Sequence, residues 1–85
     1  METATITMKS KIEEALNTIN SNSTIKEFVV GSNVYLTIED SNYNHVIFDE
    51  RNVIDVLIVG DSFATIQLKN GGTIFVYSTS FSVVI

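Results

Sequence analysis

The chain has no cysteine, no proline and no tryptophan, one histidine, four glycines and five basic residues among 85. Each shortage excludes something. Without cysteine there is no disulfide to brace a small fold and no thiolate metal centre. Without proline nothing interrupts a strand from within. A single histidine, His45, rules out the paired imidazoles of common metal and hydrolase motifs. Five basic residues against ten acidic ones make poor material for gripping a phosphate backbone, because that affinity comes from Lys and Arg displacing counterions. No apolar run approaches the ~20 residues that a membrane helix needs. The start, METATITMKSK, lacks the basic and apolar segments of a secretory signal. A soluble protein of the cytoplasm, or of the host cytoplasm if the source is viral, is the expectation.

What is present is apolar and patterned. Hydrophobic residues make up 45% of the chain, enough for a folded domain. At 85 residues it is one domain, and its core is thin, since chains of this size bury only roughly 60–65% of their unfolded surface. Association is the remaining common way to bury more. The formal charge of −5 is concentrated in residues 28–62, which hold six acids and one base.

Taken in order, Met1–Lys9 alternates threonine with Ala4, Ile6 and Met8, as a short strand or an N-terminal arm. Ser10–Asn20 is the predicted helix. Ser10 and Glu13 have capping-box spacing, and Ile12, Ala15, Leu16 and Ile19 form one apolar stripe that the chain's own sheet should cover. Asn20-Ser21-Asn22-Ser23 ends it, because these side chains compete for the backbone. Ile25–Val30 and Val34–Glu39 read as a hairpin around Gly31-Ser32-Asn33. Asp40–Asn44 is a polar loop, His45–Phe48 a short strand, and Asp49-Glu50-Arg51-Asn52 a charged turn.

From Val53 onward the pattern is a β-meander: Val53–Val59, Phe63–Lys69, Thr73–Tyr77 and a last apolar run, Phe81–Ile85, with the remaining glycines in the turns. Three-residue loops, Gly60–Ser62 and Asn70–Gly72, set the expected register. Ile58 then faces Ala64, Val56 faces Ile66, Ile54 faces Leu68, Leu68 faces Ile74 and Ile66 faces Val76. One face becomes an uninterrupted core of Ile54, Val56, Ile58, Ala64, Ile66, Leu68, Ile74 and Val76. The other face carries Val53, Asp55, Leu57, Val59, Phe63, Thr65, Gln67, Lys69, Phe75 and Tyr77, with Val59 opposite Phe63 and Thr65 opposite Tyr77. A face meant only for water would not cluster Leu57, Val59, Phe63, Phe75 and Tyr77. Large exposed apolar patches on monomers are rare, so either the same chain or a second one covers it. The expected fold class is therefore α+β: one short helix on a twisted antiparallel meander or small open barrel of five to seven strands.

No catalytic constellation emerges. His45 has no evident partner. Asp40-Ser41-Asn42-Tyr43-Asn44 opens like a calcium loop, D-x-N-x-N, but His45 stands where glycine is required and Arg51 where the bidentate glutamate belongs; a turn that satisfies its own backbone is the simpler reading. Of the other acids, Asp49, Glu50 and Asp61 fall in turns. Asp55 sits within a strand, where a charge can guard a sheet edge or seek Gln67 or Lys69. Gly71-Gly72 leads into a strand, so it is no phosphate loop.

The residues Asp61-Ser62-Phe63, Leu68-Lys69-Asn70, Val76-Tyr77 and Ser82-Val83-Val84 resemble the later strands of bacterial Sm-like proteins of the Hfq type. That resemblance implies a helix followed by a bent barrel, assembled into RNA-binding rings. Val53-Ile54, Ala64-Thr65-Ile66-Gln67-Leu68, Asn70-Gly71, Ile74, Val76 and Ser80 are similar to FlbD proteins and the latter half of LytTR DNA-binding domains. Each likeness covers about the last third of the chain. The reading of the whole chain is a non-enzymatic interaction module, self-associating through Leu57, Val59, Phe63, Phe75 and Tyr77, in the manner of a viral or accessory inhibitor of a host protein. Glu39, Asp40, Asp49 and Glu50 form its expected acidic surface for a basic partner. No cofactor, metal, membrane or small-molecule substrate is expected. A nucleic-acid-binding barrel is the alternative, provided that Lys9, Lys11, Lys26, Arg51 and Lys69 converge.

Overall fold

The structure is a computed structural model that describes residues 8–84. The N-terminal strand or arm expected over Met1–Lys9 lies, up to residue 7, outside the described residues. One helix, α1 (Met8–Thr18), packs on two antiparallel sheets. The first is the meander β1 (Thr24–Val30), β2 (Asn33–Glu39) and β3 (His45–Asp49). The second is the meander β4 (Val53–Val59), β5 (Phe63–Leu68), β6 (Thr73–Tyr77) and β7 (Phe81–Val84). Among the described residues the fold is α+β with seven strands, and the sheets do not close into a barrel. A short 3-10 turn, Glu50–Asn52, carries the chain from one sheet to the other.

The helix buries the stripe its periodicity predicts: Ile12, Ala15 and Leu16, joined by Ile19 just beyond its end. Its bounds differ from expectation. It already includes Met8, so Ser10 lies inside the helix and cannot serve as its N-cap. The C-terminus closes as a Schellman motif. Asn20 takes a left-handed φ of 53°, its N–H donates to the Asn17 carbonyl, and the Ser21 N–H reaches the Leu16 carbonyl at 2.9 Å. Ser21 then does something that local competition for the backbone does not foretell. Its hydroxyl donates to the Tyr77 carbonyl, and the Asn22 N–H donates to the Ser78 carbonyl, tying the helix exit to the turn between β6 and β7.

Turn chemistry sets the registers. The β1–β2 hairpin pairs Val30 with Asn33 across a two-residue turn, Gly31-Ser32, rather than the three-residue loop expected. Gly31 supplies the positive φ (63°) that such a turn needs at its first central position. Between β4 and β5 the expected register is observed from Val56 onward, with Val56 facing Ile66, Ile58 facing Ala64 and Val59 facing Phe63, but Leu68 faces Val53 where Ile54 was expected. Between β5 and β6 it is two residues off. Ile66 faces Ile74, Ala64 faces Val76, Phe63 faces Tyr77 and Thr65 faces Phe75. The loop is Lys69-Asn70-Gly71, because the left-handed position falls on Gly71 (φ 91°) and Gly72 enters the ladder, accepting the Leu68 N–H. A shift of two preserves which side chains share a face, so the two-faced meander survives.

The core joins helix and both sheets: Ile12, Ala15, Leu16 and Ile19 meet Leu36, Ile38 and Phe48 of the first sheet, and Val53, Ala64, Ile66, Leu68, Ile74 and Val76 of the second. Three expected core members stand outside this buried cluster, of which Val56 is half-buried and packs against it. A bulge between Val53 and Asp55 reverses the facing of the first residues of β4, so Val53 is buried and Ile54 is 57% exposed. Ile58 keeps its register but stands 41% exposed at the outer end of the edge strand.

Candidate functional site

The outer face of the second sheet gathers the five apolar residues singled out from the sequence. Val59, Phe63 and Tyr77 form one cross-strand row; Leu57, Thr65 and Phe75 form the next. Phe63 lies 5.8 Å from Tyr77 and 6.3 Å from Phe75, ring centre to ring centre, both tilted, in the range where aromatic pairs attract. Phe63 and Phe75 are half-buried, and Thr65, between Leu57 and Phe75 in its row, is buried. Leu57, Val59 and Tyr77 stay exposed, at 44%, 44% and 39%. The helix turns its apolar stripe toward the core, on the opposite side of this sheet. The patch is thus covered only in part within its own chain.

Sequence reasoning missed the neighbours of this patch. Ile54 and Ile58 add exposed aliphatics along β4. The exposed tip of the first hairpin carries Val29, Val30 and Phe28, the last stacked on Tyr35 at 5.4 Å. The missing signal was position in the sheet: β1 and β4 are edge strands, and alternation alone cannot distinguish an edge from a centre.

The acidic group does not form one surface. Asp40 is buried. One of its oxygens accepts the N–H groups of Asn42 and Asn44, and the other accepts from the Asn44 side-chain amide at 3.1 Å. Burial pushes this carboxyl up, but the Asn44 amide and the two backbone N–H groups outweigh it and hold the pKa below the ordinary value. Asp40 therefore builds the β2–β3 loop instead of presenting charge. Asp49 caps the 3-10 turn through the Arg51 N–H and takes a two-point contact from the Arg51 guanidinium, at 2.8 and 3.2 Å. That hydrogen-bonded cation lowers its pKa. Glu39 and Glu50 are half-buried. Glu39 faces His45 across the ladder, and the exposed histidine has no nucleophile paired with it in the sheet.

Asp55 stays at the surface, and its carboxylate accepts the N–H of Val56 at 2.8 Å. Of the basic residues, Lys9 pairs with Glu13 and Arg51 with Asp49. A cleft of about 460 Å³ opens between β3 and β7, with Phe48, Leu68 and Val83 among the residues that line it. Its acid, Asp49, is the one already engaged by Arg51.

The β2–β3 loop also holds strain. Tyr43 adopts φ 67° and is 82% exposed, at a position where a side chain costs energy and glycine does not. Tyr43→Gly is expected to stabilise the fold by about 0.5–1 kcal/mol, read as a rise in the urea midpoint. An unchanged or lower midpoint would mean that the ring contributes more than the backbone loses.

No protein family, no curated protein and no solved structure matches the chain.

Proposed function

We propose that this chain is a protein–protein interaction module without catalytic function, and that it associates with itself. The observation that carries the reading is the continuous apolar surface from Leu57 and Val59 through Phe63 to Phe75 and Tyr77, spread over three neighbouring strands. Its aromatic centre and small aliphatic rim suit the anchor-and-ring anatomy of interaction sites. The thin core of an 85-residue domain makes further burial by association worthwhile.

The test is the mass in solution. Sedimentation equilibrium should give a value above the 9.4 kDa of one chain at micromolar concentration. Leu57→Lys should weaken association at least tenfold, and because Leu57 is already exposed, this variant keeps the fold intact. A mass of 9.4 kDa at every concentration would overturn self-association.

A further inference from the structure

Among the described residues the sheets leave four strand edges, on β1, β3, β4 and β7. Such edges invite pairing with another chain unless charge, shortness or cover protects them. β1 carries Lys26 and Glu27 at its middle, β3 begins with His45 and ends with Asp49, and β7 has only four residues. β4 has seven residues, VIDVLIV, with Asp55 its single charge, and Leu57, Ile58 and Val59 are exposed on both of its faces.

Which backbone groups β4 leaves free follows from ladder parity. The Leu68 N–H bonds to the Gly72 carbonyl on the β6 side, and the Lys69 N–H bonds to the Asn52 carbonyl on the β4 side. Odd-numbered residues of β5 therefore bond toward β4 and meet Asp55, Leu57 and Val59, their partners in the register. Val56 and Ile58 direct their N–H and C=O groups outward. The contact from the Val56 N–H to the Asp55 carboxylate agrees: an outward donor with no strand of the described residues beside it has taken the nearest acceptor.

We propose that a second copy of this chain pairs its β4 with this edge, antiparallel, about a two-fold axis at Leu57, joining two four-stranded sheets into one of eight. The inference rests on the self-association proposed above and names its geometry. Charge and hydrogen bonding select the register. Centring one residue toward the N-terminus, on Val56, makes Ile58 seek its bonds from Ile54 in the bulge. One residue further that way, on Asp55, sets Asp55 against its own copy. One residue toward the C-terminus, on Ile58, sets Asp55 against Asp61. Centring on Leu57 pairs Val56 with Ile58 twice, uses every outward group of both residues, and sets Asp55 beside Val59 of the copy. Leu57 then faces its own copy, and the apolar rows of the two outer faces run together. Asp55 is the guard of this edge: its carboxylate must release the Val56 N–H before the strands join.

The absence of cysteine provides the experiment. Residues that face each other in a non-hydrogen-bonded pair have Cα atoms about 4.5 Å apart, within disulfide reach. Leu57→Cys should form a disulfide-linked dimer under mild oxidation, at least tenfold faster than Phe75→Cys, which lies two strands from the axis. Ile58→Pro, which removes an outward donor and no bond within the chain, should abolish association with the circular dichroism unchanged. Asp55→Ala should tighten association several-fold. Rapid cross-linking of Phe75→Cys but not Leu57→Cys would overturn edge pairing and leave self-association through the face intact. A wild-type chain that is monomeric throughout would sink both.

Discussion

Ile66→Ala is expected to cost about 2–5 kcal/mol. Ile66 is 1% exposed on β5, between Val56 and Ile74, and belongs to the cluster where the helix meets both sheets. Truncation removes burial and leaves a void that neighbours from three elements cannot jointly fill. A domain of this length has a total stability of roughly 4–13 kcal/mol, so the variant should unfold at far lower urea with an unchanged slope. Ile54→Ala is the control. The sequence pattern puts Ile54 on the same core face, yet the bulge leaves it exposed. Its cost should stay within about 0.5 kcal/mol. Equal losses for the two variants would place Ile54 in the core and refute the bulge.

The second large effect is at Asp40. Asp40→Ala strands the N–H groups of Asn42 and Asn44 and the Asn44 amide inside the tight loop that joins β2 to β3. A drop in Tm of about 5 °C is expected, the scale on which losing one charge-assisted network moves a domain of this size. The pH dependence has a definite sign. The folded pKa of Asp40 lies below its ordinary value of 3.8, so the ionised form favours the fold. Its contribution is complete above 3.8 and disappears as pH falls through the lowered value. Asp49, lowered by Arg51, adds in the same direction, and salt weakens that exposed pair. Wild-type stability should therefore fall steeply below pH 4, and Asp40→Asn should fall less steeply over the same interval, measured by thermal melts at pH 6 and pH 3. Parallel profiles would show that the loop carboxylate does not hold its proton affinity down.

Much of the fold was legible because two periodicities speak directly to packing. The stripe of Ile12, Ala15, Leu16 and Ile19 can sit on an apolar core only as a helix. The alternation of Ala64, Ile66 and Leu68 can do so only as a strand. Glycine placed three of the hairpins, since Gly31, Gly60 and Gly71 take the left-handed φ in the β1–β2, β4–β5 and β5–β6 turns. The details that escaped are those a neighbour decides. Whether Gly71 or Gly72 took the left-handed position moved the β5–β6 register by two residues. Ser10 has capping-box spacing with Glu13, but the helix extends past it to Met8. Asp40 resembles any acidic loop residue until its carboxylate closes on Asn42 and Asn44.

The candidate surface divides the same way. The sequence alone assigned Leu57, Val59, Phe63, Phe75 and Tyr77 to one face of the meander, because a face is a matter of parity and parity survives a two-residue shift. It also determined the α+β class, the helix stripe and the central core strands. Only the tertiary structure decided that β4 is an edge, that Ile54 and Ile58 stand outside the core, and that Asp55 closes on the Val56 N–H. The reason is physical: periodicity records which way a side chain points from its own backbone, whereas exposure depends on what the rest of the chain places in front of it.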